Sequence, residues 1–192
     1  MPEALVRRAR AAVSRLGGER LRESYFTTFW LPRGEQPLHA LEEAVLALSR
    51  HGRVRCSGLE WWIGRTYTTR VPIEFHFDED VKGRSRRHPL LSSVFFFNAV
   101  RGGQLAVTDA TPGRTVKRLE AVKPRRNRYA LFAGNLLHGV LDRKGRTPSR
   151  PLPGPRGRLR ITLVVNYWDR RPSSVPRWRD SRAYRALASY RR

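Results

Sequence analysis

Short runs of β-branched, aromatic and aliphatic residues fill the middle of the chain, and they constrain its fold more than any other feature. Each has the length and composition of a β-strand. Turn-forming residues separate neighbouring runs, as in Arg101-Gly102-Gly103, Thr111-Pro112-Gly113 and Gly134-Asn135. Many short strands joined by tight turns predict a β-sandwich or a barrel. The eight runs are LEWWIG, VPIEFHF, LLSSVFFFNAV, QLAVTD, TVKRLEAV, RYALFA, LLHGVL and LRITLVVNYW.

Helical patterns flank this β-rich region. Residues 3–16 carry apolar residues at helical spacing, which predicts a helix packed on a core, although a basic amphipathic segment also resembles a transit peptide. The stretch PLHALEEAVLALSRHG predicts a second helix that stops at Gly52. Near the C-terminus, RDSRAYRALASYRR predicts a short helix that either packs on the core or docks a partner.

Length and composition predict a single domain. The chain has 192 residues, 40% of them hydrophobic, and no apolar run approaches the roughly 18 residues of a membrane span. We expect one domain over 1–192, with a helical flank at 1–52, a β core at 60–168 and a basic tail at 169–192. The single Cys56 and the absence of a signal-peptide core favour a reducing compartment, so we expect a cytoplasmic location.

The chain is strongly basic, with 39 Lys and Arg residues against 16 Asp and Glu and a net charge of +23. Such a charge attracts nucleic acid, anionic membranes or acidic substrates. Only four of the 39 basic residues are lysines, however, and a GC-rich genome produces the same preference for arginine. The charge therefore says little about partners.

Negative charge is concentrated in EFHFDED, residues 74–80, where four carboxylates surround His76. On a strand, His76 and Asp78 share one face, roughly 7 Å apart along the chain, and can bind one ion together. A His-x-Asp pair alone is a weak signal. The neighbouring Glu79 and Asp80 more plainly neutralise the basic stretch KGRSRR, while Glu74 shares the face of the His-Asp pair.

A second histidine would complete a metal site. Two imidazoles and one carboxylate on one side of a ferrous ion form the arrangement of non-haem iron oxygenases. His138 is the favoured candidate, because it lies in YALFAGNLLHGVL between two predicted strands, where the alternative is a structural histidine. We expect His39, His51 and His88 to be solvated, since the first two bound a surface helix and the third lies in a basic stretch.

The order of the motifs resembles the 2-oxoglutarate and Fe(II)-dependent oxygenases, in particular their prolyl-4-hydroxylase-like branch. The similar region runs from Trp61 to Trp168, and its motifs are HFDED, HPLLSSVFFFNAVRGGQL, FAGNLLHGV and RLRITLVVNYW. This resemblance implies a mainly β fold, a double-stranded β-helix or jelly-roll core with flanking N-terminal helices and a short C-terminal helix. It also implies that His76, Asp78 and His138 bind Fe(II) at the open end of the β-helix.

The cosubstrate of such enzymes is a dicarboxylate whose distal carboxylate needs a fork of donors inside the barrel. Arg160 and Thr162 lie two residues apart on a predicted strand, share a face and can both bind that carboxylate of 2-oxoglutarate. Arg158 shares the face but lies nearer a Pro/Gly/Arg-rich loop, which leaves the register of the arginine open. The alternative is a basic edge strand facing water.

Two further patterns favour hydroxylation. Related halogenases lack the metal carboxylate, whereas Asp78 is present, and nucleic-acid repair oxygenases carry Arg-x-Asn-x-Thr-x-Arg on the last strand, which this chain does not. We expect a dioxygenase that hydroxylates a peptide side chain or a small metabolite, acidic if the basic segments 82–87 and 143–158 form a docking rim. The alternatives are a non-catalytic β-helix protein that binds an acidic partner and a nucleic-acid-binding protein.

Overall fold

The computed structural model describes residues 1–16, 27–67, 74–82, 85–142, 144–147 and 159–190. No helix among these residues is long and apolar enough to cross a membrane. In chain order the elements are α1 (Glu3–Arg15), β1 (Phe29–Pro32), α2 (Ala40–Ser49), β2 (Gly58–Tyr67), β3 (Asp80–Lys82), β4 (Ser85–Arg87), β5 (Leu91–Phe96), β6 (Gln104–Thr108), β7 (Leu119–Val122), β8 (Arg128–Ala133), β9 (His138–Leu141), β10 (Leu159–Trp168) and two 3-10 helices (Trp178–Asp180 and Arg185–Tyr190).

The strands form two sheets that face each other and a separate hairpin. The larger sheet has the order β1-β2-β10-β5-β8 and the smaller has the order β7-β6-β9, while β3 pairs with β4. Every pairing is antiparallel. Val94 and Phe96 of the larger sheet pack against Leu105 of the smaller one. This arrangement is a jelly roll with helices outside it, as the sequence predicts.

The central strand β10 is buried on both faces; one face joins the hydrophobic core and the other lines a cavity. Leu163, Val165 and Tyr167 point to the helical side and join the main hydrophobic core. The alternate residues face the smaller sheet, because side chains on a strand alternate between its two faces. Those residues are Arg160, Thr162, Val164, Asn166 and Trp168, and all of them line one cavity.

The main core lies between the outer face of the larger sheet and the flanking helices. Val6 and Ala9 of α1, Leu41 and Val45 of α2, and Trp61 of β2 are all fully buried in it. The C-terminal segment closes the same core, since Tyr184 and Leu187 are 3% and 1% exposed. Packing on the core, rather than docking a partner, is therefore what this segment does in the structure.

Three local features differ from the expectations. Strand β1 lies inside the predicted helical flank, and its four residues FWLP are too short for a periodic signal. In VPIEFHF, the described residues 74–77 form no strand beyond a single bridge at His76, since both backbone bonds of that residue go to His138. The predicted C-terminal helix is two 3-10 helices.

Candidate metal centre and its cavity

His76, Asp78 and His138 come together at one end of the cavity. The backbones of His76 and His138 exchange two hydrogen bonds of 2.9 and 3.0 Å, which sets the two side chains next to each other. Their rings lie 4.5 Å apart between centroids. One potential ligand atom from each residue of the triad lies within 4.8 Å of the other two. Residues 62 positions apart in the chain thus share one site because β9 reaches the segment that follows β2.

Both imidazoles are held in the same tautomer. Nδ1 of His76 donates to the backbone carbonyl of Glu74 at 2.8 Å, and Nδ1 of His138 donates to that of Leu136 at 2.9 Å. A neutral imidazole that donates through Nδ1 keeps the lone pair on Nε2 free for a metal. The Nε2 atoms lie 3.6 and 3.5 Å from the carboxylate oxygens of Asp78. Each histidine is therefore oriented by the residue two positions before it.

Asp78 is fixed from the opposite side. Its Oδ2 atom accepts hydrogen bonds from Ser92 Oγ and Asn166 Nδ2, each at 3.0 Å. Burial raises the pKa of Asp78, but its interactions with His76, His138 and Asn166 outweigh burial and hold that pKa below its usual range. Burial lowers the pKa of His138, while the bond with Asp78 raises that of His76. The carboxylate is charged and positioned before any ion binds.

This donor set fits a divalent transition metal. Metal-ligand bonds of about 2 Å place neighbouring ligand atoms about 3 Å apart, close to the separations between Asp78 and the two imidazoles. Two imidazole nitrogens and one carboxylate oxygen on one side of an ion form the facial triad, which leaves the remaining positions for other ligands. The cavity supplies the space for those ligands on the open side.

The cavity has a volume of about 260 Å³ and lies between the two sheets. Its walls are mostly apolar, which limits water around the site. Polar groups are concentrated at its two ends. The lining residues are Thr28, Glu60, Trp62, Gly64, His76, Asp78, Glu79, Val94, Leu105, His138, Gly139, Val140, Arg160, Thr162, Val164, Asn166 and Trp168.

Arg160 forms one end of the cavity and is 4% exposed. Its Nε atom donates to the carbonyl of Gly103 at 2.8 Å, its Nη1 atom lies 3.4 Å from Thr162 Oγ1, and its guanidinium lies 5.2 Å from the centre of the Phe96 ring. Burial lowers its pKa to about 10, so it stays charged near neutral pH. No described carboxylate pairs with this guanidinium. A buried cation with no counterion favours an anionic ligand.

Glu60 lies at the opposite end and is 8% exposed. Its Oε2 atom accepts a hydrogen bond of 2.9 Å from Trp168 Nε1. Burial raises the pKa of Glu60 to about 7, with a further rise from the nearby charge of Asp78. Thr28 and Trp168 act in the other direction, because they stabilise the ionised form. This carboxyl group changes charge near neutral pH inside the cavity.

Most of the predicted site residues lie in one cavity. His76, Asp78, His138, Arg160 and Thr162 all line the cavity. Arg158 lies outside the described residues, so its competition with Arg160 rests on the sequence alone.

The other three histidines do not line the cavity, and the expectation that they are solvated holds for His51 but not for the buried His39 or the half-buried His88. His51 is exposed, whereas His39 is 3% exposed, because it caps α2 and packs between the rings of Trp61 and Trp178. His88 is half-buried and its Nδ1 atom lies 2.9 Å from the carbonyl oxygen of Asp78.

The four carboxylates of residues 74–80 make different contacts. Glu79 pairs with Arg86 at 3.0 Å and Asp80 pairs with Arg87 at 2.6 Å. Asp80 also accepts hydrogen bonds from the backbone and hydroxyl groups of Ser173. The expectation that these two carboxylates neutralise the following basic stretch is confirmed. Glu74 contributes its backbone carbonyl to His76, while its side chain is exposed.

Sequence reasoning missed Glu60, Ser92 and Asn166. A signal for Asn166 was available, because it lies an even number of residues from Arg160 and Thr162 on the same predicted strand. Glu60 had the same kind of signal only after β2 and β10 were known to be paired, since it lies opposite Asn166. Ser92 had no signal, because a serine in a buried strand has many possible partners.

No protein-family model matches the sequence, and no curated protein matches it. Solved structures do share its fold. A prolyl-4-hydroxylase from Pseudomonas putida aligns with a TM-score of 0.51 and 21% identity, over 88% of this chain and 84% of that chain. An oxidoreductase of the 2OG-Fe(II) oxygenase family from Burkholderia pseudomallei aligns with a TM-score of 0.53 and 19% identity, over 90% and 81%. HygX from Streptomyces hygroscopicus, solved with nickel and 2-oxoglutarate bound, aligns with a TM-score of 0.51 and 13% identity, over 93% of this chain and 82% of that chain.

Identities of 13% to 21% establish a common fold and leave the reaction to be argued from the site. The jelly roll is the fold of these oxygenases.

Proposed function

We propose that this chain is an Fe(II)- and 2-oxoglutarate-dependent dioxygenase that hydroxylates a C–H bond. One observation carries the proposal: a His-Asp-His cluster and a buried arginine that no described carboxylate pairs with line the same cavity. The cluster fits a ferrous ion and the arginine fits a carboxylate. A ligand that bridges the two must have a metal-binding end and an anionic end, which are the two ends of 2-oxoglutarate. The solved structures with this fold agree with the proposal.

In this proposal, His76, Asp78 and His138 hold the metal, and Arg160 with Thr162 binds the distal carboxylate of the cosubstrate. When bound, Fe(II) and 2-oxoglutarate supply oxidation by O2, in which the cosubstrate becomes succinate and CO2 and one oxygen atom enters a C–H bond of the substrate. The backbone carbonyls of Glu74 and Leu136 keep the imidazoles oriented. Ser92 and Asn166 hold the carboxylate of Asp78 in place through hydrogen bonds.

The apolar walls of the cavity exclude water from the reacting groups. Val94, Leu105 and Val164 line it from both sheets. Such a wall strengthens the attraction between Arg160 and a carboxylate, because charges interact more strongly where water is absent. We further propose that residues 1–192 form one domain around this cavity, since α1, α2 and the C-terminal segment all pack on the same sheet.

The cavity favours a small molecule or a peptide side chain as the substrate, given its volume of about 260 Å³. The expected docking rim is only partly described. Within residues 85–87, the side chains of Arg86 and Arg87 pair with Glu79 and Asp80, which reduces their attraction for an acidic substrate. Arg84 and most of 143–158 lie outside the described residues.

Anaerobic addition of Fe(II) and 2-oxoglutarate tests the proposal. We expect a weak visible charge-transfer band from the chelated cosubstrate. His76→Ala and Asp78→Ala should each abolish Fe(II) binding and the band, because each removes one of three ligands. His51→Ala is the matched control, since His51 is exposed and lies outside the cavity, and it should leave the band intact.

Arg160→Ala separates metal binding from cosubstrate binding. We expect it to retain Fe(II) but to weaken 2-oxoglutarate binding by roughly 2 to 5 kcal/mol, because the distal carboxylate loses its charged partner. Thr162→Ala should cost less, about 1 kcal/mol. A parent protein with no band at saturating ligand would contradict the proposal and favour a non-catalytic β-helix protein or a nucleic-acid-binding protein.

A further inference from the structure

The cavity contains a buried carboxylate, that of Glu60, with which no arginine or lysine of the described residues pairs. Burial of an ionised group is costly unless an opposite charge or several hydrogen bonds compensate for it. Among the described residues, Glu60 is hydrogen-bonded to the neutral side chains of Trp168 and Thr28, and the charges that act on it most are the negative ones of Asp78 and Asp80. Neither an arginine nor a lysine of the described residues forms an ion pair with it.

The other buried carboxylates of this sheet and its neighbours are compensated differently. Asp80 is 6% exposed and pairs with Arg87, whereas Glu42 is 3% exposed and accepts the backbone N–H of Leu38, with the opposing charges of Glu35 and Arg179 nearby. A chain with 39 Lys and Arg residues supplies cations easily. Neither Glu42 nor Glu60 forms an ion pair among the described residues, but only Glu60 of these two faces the cavity, where a ligand can reach it.

Glu60 and Arg160 mark opposite ends of the cavity and cannot satisfy each other. Asn166 of β10 lies opposite Glu60 on β2, and Arg160 lies six residues earlier on β10. At about 3.3 Å per residue, the backbone positions of Asn166 and Arg160 are about 20 Å apart along the strand. The metal cluster is tied to the Glu60 end, because Asn166 donates to Asp78. Glu60 therefore lies at the metal-cluster end of the cavity, away from the carboxylate-binding arginine.

A bound metal would not neutralise Glu60. If the proposed function holds, the two positive charges of Fe(II) are balanced by Asp78 and by the metal-binding carboxylate of 2-oxoglutarate. The distal carboxylate is balanced by Arg160. When both are in place, the ionised form of Glu60 still has no counterion among the described residues.

We propose that Glu60 binds a basic nitrogen of the substrate, an ammonium or guanidinium group, and so selects a cationic substrate. This inference rests on the proposed function for the identity of the bound molecule as a substrate. The cationic group occupies the Glu60 end, and the C–H bond to be oxidised faces the metal cluster. Trp62 and Trp168 also line this region, and aromatic faces attract cations as well. The inference opposes the acidic substrate that the basic surface suggests.

Matched ligand pairs test the inference. The probes are the N-acetyl amides of arginine and citrulline and of lysine and norleucine, in which one member of each pair lacks the charge. Their dissociation constants are measured by tryptophan fluorescence, with and without Fe(II) and 2-oxoglutarate. We expect the cationic member to bind the parent protein about tenfold more tightly or better. Glu60→Gln should bring the ratio close to one, because glutamine keeps an acceptor for Trp168 but has no charge.

Glu120→Gln is the matched control. It removes the same charge from an exposed position on β7 outside the cavity, and it should leave the ratio unchanged. The charge-transfer band of Glu60→Gln shows whether its metal site is intact. The inference is overturned if neither pair shows a preference in the parent protein, if the preference survives Glu60→Gln, or if N-acetylglutamate amide binds better than the cationic probes. A cation preference without a band would contradict the oxygenase proposal alone.

Discussion

Individual side chains in this site are fixed by polar contacts that hold them before any ligand binds. Each metal-facing histidine donates to a backbone carbonyl two residues away, and Asp78 is held by Ser92 and Asn166. Such contacts lower the cost of ordering the ligands when the metal binds. The same principle applies to Arg160, whose Nε and Nη1 atoms donate to Gly103 and Thr162 and whose other terminal N–H groups point to where a carboxylate would bind in the proposed function. The site is therefore preorganised at both positions.

Gly64 supports the arginine end through its lack of a side chain. It lies opposite Thr162 across the β2–β10 pair, and a Cβ atom at this position would overlap Thr162 Oγ1 and approach Arg160 Nη1 to 4.0 Å. We therefore expect Gly64→Ala to displace Thr162 and weaken 2-oxoglutarate binding by about 1 kcal/mol or more, with Fe(II) binding retained. Titration of the charge-transfer band with 2-oxoglutarate measures the change.

Gly58→Ala is the control on the same strand. Its Cβ atom would overlap the Trp30 indole, so this variant should lose stability without a specific effect on the cosubstrate. Equal 2-oxoglutarate affinities for Gly64→Ala and the parent protein would mean that Thr162 has no part in binding.

At the scale of elements, β10 carries most of the site. One face supplies Arg160, Thr162 and Asn166 to the cavity, and the other face supplies Leu163 and Val165 to the core. This alternation could be predicted from the sequence, because a buried strand between two layers exposes each face to a different environment. The sequence placed Arg160 and Thr162 on the same face of this strand, and in the structure both side chains line the cavity.

Features that depend on partners distant in sequence could not be predicted. His39 looked like a surface residue because it precedes a helix with an exposed face. It is buried because Trp178 packs on it, a contact across 139 positions that no local pattern reports. Likewise, His76 lies in a segment whose extended form is set by β9, and the bridge to His138 replaces the predicted strand. Local propensity predicted the elements, while tertiary contacts decided their edges.

The N-terminal cap of α2 requires neutral His39, so protonation of His39 in acid should destabilise the protein. The Nδ1 atom of His39 accepts the backbone N–H of Glu42, and burial lowers the pKa of His39 to about 4. Between pH 6.5 and 4 the unfolded chain binds a proton that the folded protein does not, so stability falls as pH falls through this range. The loss should approach about 3 kcal/mol for this group.

His39→Asn should flatten the corresponding part of the stability curve. Asparagine also caps helices, so the variant removes the titration while keeping an acceptor for the cap. Urea unfolding at a series of pH values measures the slope. His51→Asn, at an exposed position, is the control and should keep the slope of the parent protein. A slope in His39→Asn equal to that of the parent would assign the acid sensitivity to other groups.

At the scale of the whole molecule, the charge of the surface does not report the charges in the cavity, whereas packing connects segments from both ends of the described chain. The net charge is +23, and most arginines that the structure describes are exposed, while one end of the cavity carries the carboxylate of Glu60, which pairs with no described cation. Because the cavity holds both the Arg160 cation and the Glu60 carboxyl group, the net charge of the chain gives little information about the substrate. Packing, in contrast, joins the two ends of the chain. The second 3-10 helix contacts α1, and Tyr184 contacts Phe29 of β1.

Leu187 tests whether this shared core makes the protein a single folding unit. It is 1% exposed within the main core, so Leu187→Ala should leave a cavity and cost roughly 2 to 5 kcal/mol of unfolding free energy. For a chain of this length, that corresponds to a fall in melting temperature of about 5 to 15 °C. Leu119→Ala, at a position 47% exposed on β7, should change stability by less than about 0.5 kcal/mol. Far-UV circular dichroism and tryptophan fluorescence should follow one common transition in all three proteins. Separate transitions for the two signals, or a Leu187→Ala variant as stable as the parent, would contradict a single domain closed by its C-terminal segment.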